Sequence, residues 1–219
     1  MIKEQHIQLP NRQDNDDITP REQLVYIALK SYMNKDTKEC FPSLMSVSEL
    51  LGISIPTIRK DIKTLESLKY ISIRKQGSKQ IYKFNDYKSF EPFSYDFLYN
   101  KNLTATEKAY LVASQQFMFK NGNNGSINYS LRELADKINM PKSTIKDCDN
   151  SLQEKNLLTV INAEGLVQTK MFHLNEFNTA VVNTLMDHEG RLSQLEKQNE
   201  LLLQELKELK NKQYAEIVL

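Results

Sequence analysis

Apolar residues first recur at helical spacing after Ile18, where Leu24, Tyr26 or Ile27, and Leu29 mark one helix. A polar stretch, NKDTKE, and a short extended segment follow, and Ser43 then stands where a second helix should start, its hydroxyl able to cap free backbone N–H groups. That helix is brief and ends at Gly52, a residue that tolerates the left-handed backbone of a tight turn. Ser54 is placed to cap a third helix, whose first turn accommodates Pro56 because the missing N–H needs no helical partner there. In this third helix Ile58, Ile62 and Leu65 form one apolar stripe, which leaves Thr57, Arg59, Lys60 and Lys63 on the other faces. YISIRKQGSKQIYKFN then alternates, turns at Gly77-Ser78 and alternates again, as a β-hairpin with a basic tip and basic arms does.

The same plan recurs downstream. ITPREQLVYIALKSYM resembles LTATEKAYLVASQQFM from Leu103. Ser43-Leu44 matches Ser130-Leu131, Gly52-Ile53 matches Asn139-Met140, Thr57-Ile58 matches Thr144-Ile145, and Leu65 matches Leu152. Ser130 to Glu133 also has capping-box spacing. Helix, helix, turn, helix, hairpin is the order of a winged helix-turn-helix. The expected fold is therefore mainly α with small β-hairpin wings: two tandem winged helix-turn-helix domains followed by a C-terminal coiled-coil helix. The boundaries read as a flexible leader (1–17), copy one (18–85), an aromatic connector (86–102), a divergent copy two (103–177) and a dimerisation helix (178–219).

The connector carries Phe90, Phe93, Tyr95, Phe97 and Tyr99, too apolar for a free linker. These rings either pack along the domains or stack on single-stranded bases. In the C-terminal segment Leu192, Leu195, Asn199, Leu202, Leu206 and Leu209 alternate between heptad positions a and d. A lone Asn at an a position favours a parallel two-stranded register, so the segment reads as a homodimer handle. Packing of the same helix within the chain is the alternative.

Charge sharpens this picture. The formal net charge is only +1, so any nucleic-acid surface must be a local patch. Copy one supplies such a patch. Arg59 is the best placed for a bidentate contact to guanine, with Thr57, Lys60 and Lys63 beside it. Arg74, Lys75, Lys79 and Lys83 on the hairpin suit phosphates, and Ser43 adds a helix-start contact. Copy two sets Lys142, Lys146 and Lys155 against Asp147, Asp149 and Glu154, and its buried stripe shifts to Ile145, Cys148 and Leu152. It reads either as a weaker DNA contact or as a structural or partner-binding element, for instance toward a replication or transcription protein.

ITPREQLVYIALKSYMNKDTKECFPSLMSVSELLGISIPTIRKDIKTLESLKYISI resembles the helix-turn-helix domains of phage and plasmid replication or regulatory proteins. The resemblance rests on the NKD turn, Phe41-Pro42-Ser43, Gly52-Ile53-Ser54 and Thr57-Ile58-Arg59. It implies a cytoplasmic DNA-binding domain, and the tandem layout is similar to that of plasmid replication initiators. Ile55-Pro56 departs from the polar or basic residues usual there, which weakens base contacts from the very start of the third helix.

Catalysis has little to build on. Cys40 and Cys148 match no metal-ligand spacing, and His6, His173 and His188 form no pair. There is no phosphate-binding G-x-x-x-x-G-K-[ST] loop and no membrane-length apolar run. The expectation is a non-enzymatic, cofactor-free transcriptional regulator that binds double-stranded DNA, the alternatives being a replication initiator and a protein–protein adaptor.

Overall fold

A computed structural model describes residues 6–11, 18–87, 89–94, 96–121, 124–162 and 168–173. The C-terminal heptad positions Leu192, Leu195, Asn199, Leu202, Leu206 and Leu209 lie outside them, as does Tyr95. Among the described residues, seven helices combine with small antiparallel sheets.

Helix α1 (Pro20–Ser31) is set by a capping box. The Thr19 amide donates to Glu22 Oε2 at 2.7 Å, the Glu22 amide donates back to Thr19 Oγ1 at 3.4 Å, and Pro20 opens the first turn. Strand β2 (Glu39–Cys40) follows, then α2 (Leu44–Leu51) and α3 (Ile55–Ser67). Ser43 Oγ accepts from the Ser46 amide at 3.0 Å and so caps α2, which stops at Gly52 with φ +67°. Ser54 does not cap α3 with its side chain as expected; its hydroxyl pairs with that of Thr57 at 2.8 Å. Strands β3 (Ile71–Gln76) and β4 (Lys79–Phe84) form the hairpin, with Gly77 at φ +59° in the turn, and complete a sheet of order β2-β4-β3.

The second half repeats this order with one added strand. Helix α5 (Ala105–Gln115) has its own capping box, Thr104 with Glu107. Strands β6 (Phe119–Asn121) and β7 (Asn124–Tyr129), helices α6 (Leu131–Ile138) and α7 (Lys142–Glu154), and strands β8 (Leu158–Asn162) and β9 (Gln168–His173) follow, in a sheet of order β6-β7-β9-β8. Ser130 and Glu133 make the capping box expected of them, and α6 ends at Asn139, left-handed like Gly52. The chain also turns left-handed after both third helices, at Lys69 (φ 62°) and Asn156 (φ 57°). Corresponding backbone strain at corresponding places is a stronger mark of repetition than apolar pattern alone.

The two halves share one core. Every residue from Leu24 to Leu29 is fully buried, because α1 packs on α2 and α3 on one side and on α5 on another. A helix buried all round loses the one-sided stripe by which a surface helix is recognised. Within the leader, expected to be flexible, His6–Pro10 forms strand β1, antiparallel to β5 (Phe90–Ser94) from the connector, with Ile7 opposite Phe93. The alternation Ile7-Gln8-Leu9 explains this, since both apolar side chains are buried. Short helix α4 (Asp96–Tyr99) completes the connector. Phe93 and Phe97 pack edge-to-face with centroids 4.8 Å apart, whereas Phe90 and Tyr99 remain exposed.

In α7 the stripe Ile145, Cys148, Leu152 is buried as expected, but Asp149 is buried with it rather than standing at the surface. The Tyr110 hydroxyl donates to Asp149 Oδ1 at 2.9 Å, and the fully buried Lys170 ammonium bonds the other carboxylate oxygen. An aspartate at the position that Ile62 holds in copy one is tolerated because both oxygens find donors.

Candidate nucleic-acid interface

Burial of Ile58, Ile62 and Leu65 fixes the rotation of α3 and turns Arg59, Lys60 and Lys63 outward. Thr57 is partly exposed beside them, tied to Ser54. The opposite wall is the hairpin. Side chains alternate along a strand, so β3 sends Ile71, Ile73 and Lys75 to the α3 side and Ser72, Arg74 and Gln76 to the other. An open groove of about 540 Å³ results, lined by Arg59, Lys60 and Lys63 on one wall and by Ile73, Lys75 and Gln80 on the other.

A second slot, about 630 Å³, adjoins it between the start of α2 and the hairpin tip. Phe41, Ser43, Lys75, Gly77, Ser78 and Lys79 are among its lining residues. The Lys79 ammonium sits 5.3 Å from the Phe41 ring centroid. Lys75 and Gln80 belong to both hollows and join them into one surface.

Of the nine residues selected from sequence, six line this surface, Ser43, Arg59, Lys60, Lys63, Lys75 and Lys79, while Thr57 lines neither hollow and pairs with Ser54. Arg74 and Lys83 lie on the far face of the sheet. The Arg74 guanidinium donates to both Glu39 oxygens, Nη2 to Oε2 at 2.8 Å and Nε to Oε1 at 3.3 Å. That hydrogen bonding holds the Glu39 carboxyl below the ordinary carboxylate range. Lys83 pairs in register with Glu39 across the sheet and adds to the positive field on Asp86. Phe41 and Gln80 are additions the sequence reading did not select. Phe41 is 63% exposed at the mouth of the slot, and its only sequence mark was the Phe-Pro-Ser entry to α2.

The exposed face of α7 is mixed in sign. Lys142, Lys146, Asp147 and Glu154 are exposed. Lys155 turns back instead, its ammonium donating to Glu107 at 2.6 and 2.8 Å.

An exposed helix that presents Arg59, Lys60 and Lys63 opposite a strand pair carries the charge that duplex backbone and base edges attract. Residues 16–71 match a helix-turn-helix domain family. The match takes in α1, α2 and α3, including Arg59, Lys60 and Lys63, and stops at the start of the hairpin. It covers less than half of the chain, so the similarity is that of one domain. No curated protein matches the sequence. A helix-turn-helix domain suggests binding of double-stranded DNA. No helix among the described residues is long and apolar enough to cross a membrane.

Proposed function

We propose that this chain is a non-enzymatic, sequence-specific double-stranded DNA-binding protein that regulates transcription by occupying its site. The observation that carries the reading is the facing of Arg59, Lys60 and Lys63 on α3 by Lys75 across an open groove, with the isoleucines of the same helix in the core. Arg59 reads base edges, and Lys60, Lys63, Lys75 and Lys79 neutralise phosphates.

In this reading residues 18–85 and 103–177 are tandem winged helix-turn-helix domains, which the shared element order and the matching left-handed residues support. Copy one carries the DNA contacts, and copy two, with its mixed charge, serves a protein partner. The leucine and asparagine heptads of the C-terminal segment support a parallel homodimer, which would set two reading heads about one helical turn, ~34 Å, or a multiple apart. A cytoplasmic, phage- or plasmid-type protein is the setting that goes with these features.

Replication initiation is the second reading. It is favoured by the packing of α1 on α5, which joins both copies through a common core as a body suited to sit across adjacent repeats.

Selection of bound fragments from a random duplex pool tests the proposal. A defined site is expected, with affinity falling as salt rises; a single phosphate-contacting lysine, neutralised, should lower the log–log salt slope by about one unit. Two-fold sites beside promoters support regulation, and direct repeats in an origin support initiation. Duplex affinity indifferent to Arg59→Ala and Lys63→Ala would replace both with a protein adaptor.

A further inference from the structure

A cavity of about 300 Å³ lies where β1, the end of α1, the end of β4 and the first residue of β5 meet. Ile7, Pro10, Met33, Phe84, Tyr87 and Phe90 give it apolar and aromatic walls, Lys30, Lys35 and Lys38 supply positive charge against the one carboxylate of Asp86, and Gln8 and Asn85 complete the lining.

The three lysines are not equivalent. Lys38 is neutralised, its ammonium lying 2.8 and 3.0 Å from the two Asp86 oxygens. Lys35 is exposed and forms no ion pair among the described residues. Lys30 is partly buried, and its ammonium donates to the Gln8 carbonyl at 2.8 Å and to the Tyr26 hydroxyl at 3.1 Å. Both partners are neutral, so Lys30 has hydrogen-bond donors accepted but no opposite charge in contact. An ammonium carries three donors, which leaves one for a ligand. Burial accordingly pushes the Lys30 ammonium down to about 8. Asp86, in the same lining, is the acid whose charge acts on Lys30, and it is already bonded to Lys38.

We propose that this cavity is a binding site for a small organic anion with a flat apolar body, such as an aromatic carboxylate, sulfonate or phosphate ester. Its acidic group pairs with Lys30 and Lys35, and its ring lies against Phe84, Tyr87 and Phe90. The size lies at the lower end of the range of small-ligand pockets, and apolar walls stand beside polar groups that can fix a ligand's orientation. The site is separate from the α3 groove, with which it shares no lining residue. Because β1 and β5 form part of its wall, an occupant would also tie leader and connector to copy one.

The probe is 8-anilinonaphthalene-1-sulfonate, titrated by fluorescence against the full chain, with 1-naphthoate, 1-naphthalenemethanol and inorganic phosphate as competitors. One saturable site is expected, displaced by 1-naphthoate and at least tenfold less well by the neutral alcohol or by phosphate. Lys35→Gln and Phe90→Ser alter exposed side chains and should each weaken binding at least fivefold, while Lys30→Met weakens it at least tenfold. Phe119→Ser, which removes the most exposed aromatic ring elsewhere among the described residues, should leave binding unchanged. The proposal is overturned if the alcohol competes as well as the acid, if phosphate alone displaces the probe, or if Lys35→Gln and Phe90→Ser bind as the parent does.

Discussion

Arg21, in the first turn of α1, clamps the carboxylate of Asp61 on α3 with two hydrogen bonds, Nε to Oδ2 at 2.8 Å and Nη2 to Oδ1 at 2.9 Å. Asp61 is fully buried, while the arginine side chain is 47% exposed. The pair fixes the helix that carries Arg59, Lys60 and Lys63 against the helix at the centre of the core. Removing the arginine leaves a buried carboxylate without its partner, a change that costs about 3–5 kcal/mol in dry interiors. Water reaching the vacated, half-open site should lower that cost, so Arg21→Ala should destabilise by about 2–3 kcal/mol. Urea denaturation followed by circular dichroism measures it. The double variant Arg21→Ala with Asp61→Leu should recover most of the loss; no recovery would mean that packing rather than charge is at stake.

Neighbouring positions on β3 should separate sharply in DNA binding. Lys75 faces the α3 groove and Arg74 is bonded to Glu39 on the other side of the sheet. Lys75→Gln should weaken binding to the selected duplex and reduce the salt slope by about one unit. Arg74→Gln should change affinity less than twofold, although it removes the same formal charge. Equal effects of the two substitutions would show that long-range charge, not the groove, governs affinity.

The Lys170 ammonium is fully buried against Asp149 and Tyr110, where burial raises the Asp149 carboxyl above its ordinary range despite the lysine. A folded-state value above the unfolded one gives stability that is complete below the unfolded pKa and is lost as pH rises through the folded one. Lys170→Met removes the charge that opposes this shift. The variant should lose about 3–5 kcal/mol near neutral pH, and the deficit should shrink as acid neutralises Asp149. Thermal melts at pH 7 and pH 5 compare the two; a deficit constant between them would assign the loss to packing.

Much of this architecture was legible because its signals are local. Gly52, Ser43, Ser130 and the alternating arms of the hairpin each act within a few residues, and each stands where the pattern put it. The stripe Ile58, Ile62, Leu65 likewise fixed which side chains of α3 face outward. What escaped depends on contacts distant in the chain. Strand β1 forms only because the connector offers an edge some eighty residues away. Arg74 looked like a phosphate ligand until β2 brought Glu39 to it, and Asp149 looked exposed until β9 brought Lys170. The capping boxes at Thr19 and Thr104 were, by contrast, readable as T-x-x-E in both copies. They are the overlooked signal that most directly marks the two first helices.

Cys40 and Cys148 lie in the two halves, both buried, and burial pushes each thiol up to about 12. Reaction with a disulfide reagent requires the thiolate and access, so in the native protein at pH 8 both should react far more slowly than in urea, where two thiols titrate at once. The same shift makes stability depend on alkali. Each thiol has a folded value above its unfolded one, so its contribution is complete below about pH 9 and is lost as pH rises toward 12. Lys30 and Lys108, both lowered to about 8 by burial, act oppositely: the unfolded chain binds more protons than the folded one between about pH 8 and 10.5, so stability gains there. The two effects offset each other above pH 9. Melting temperature should therefore be level or rising from pH 8 to 9 and should fall beyond 10.5, where only the thiol loss and the raised tyrosines remain. In Cys40→Ala/Cys148→Ala, that fall above pH 10.5 should become shallower. A fall as steep as in the parent would show that the tyrosines, not the thiols, set the alkaline limit.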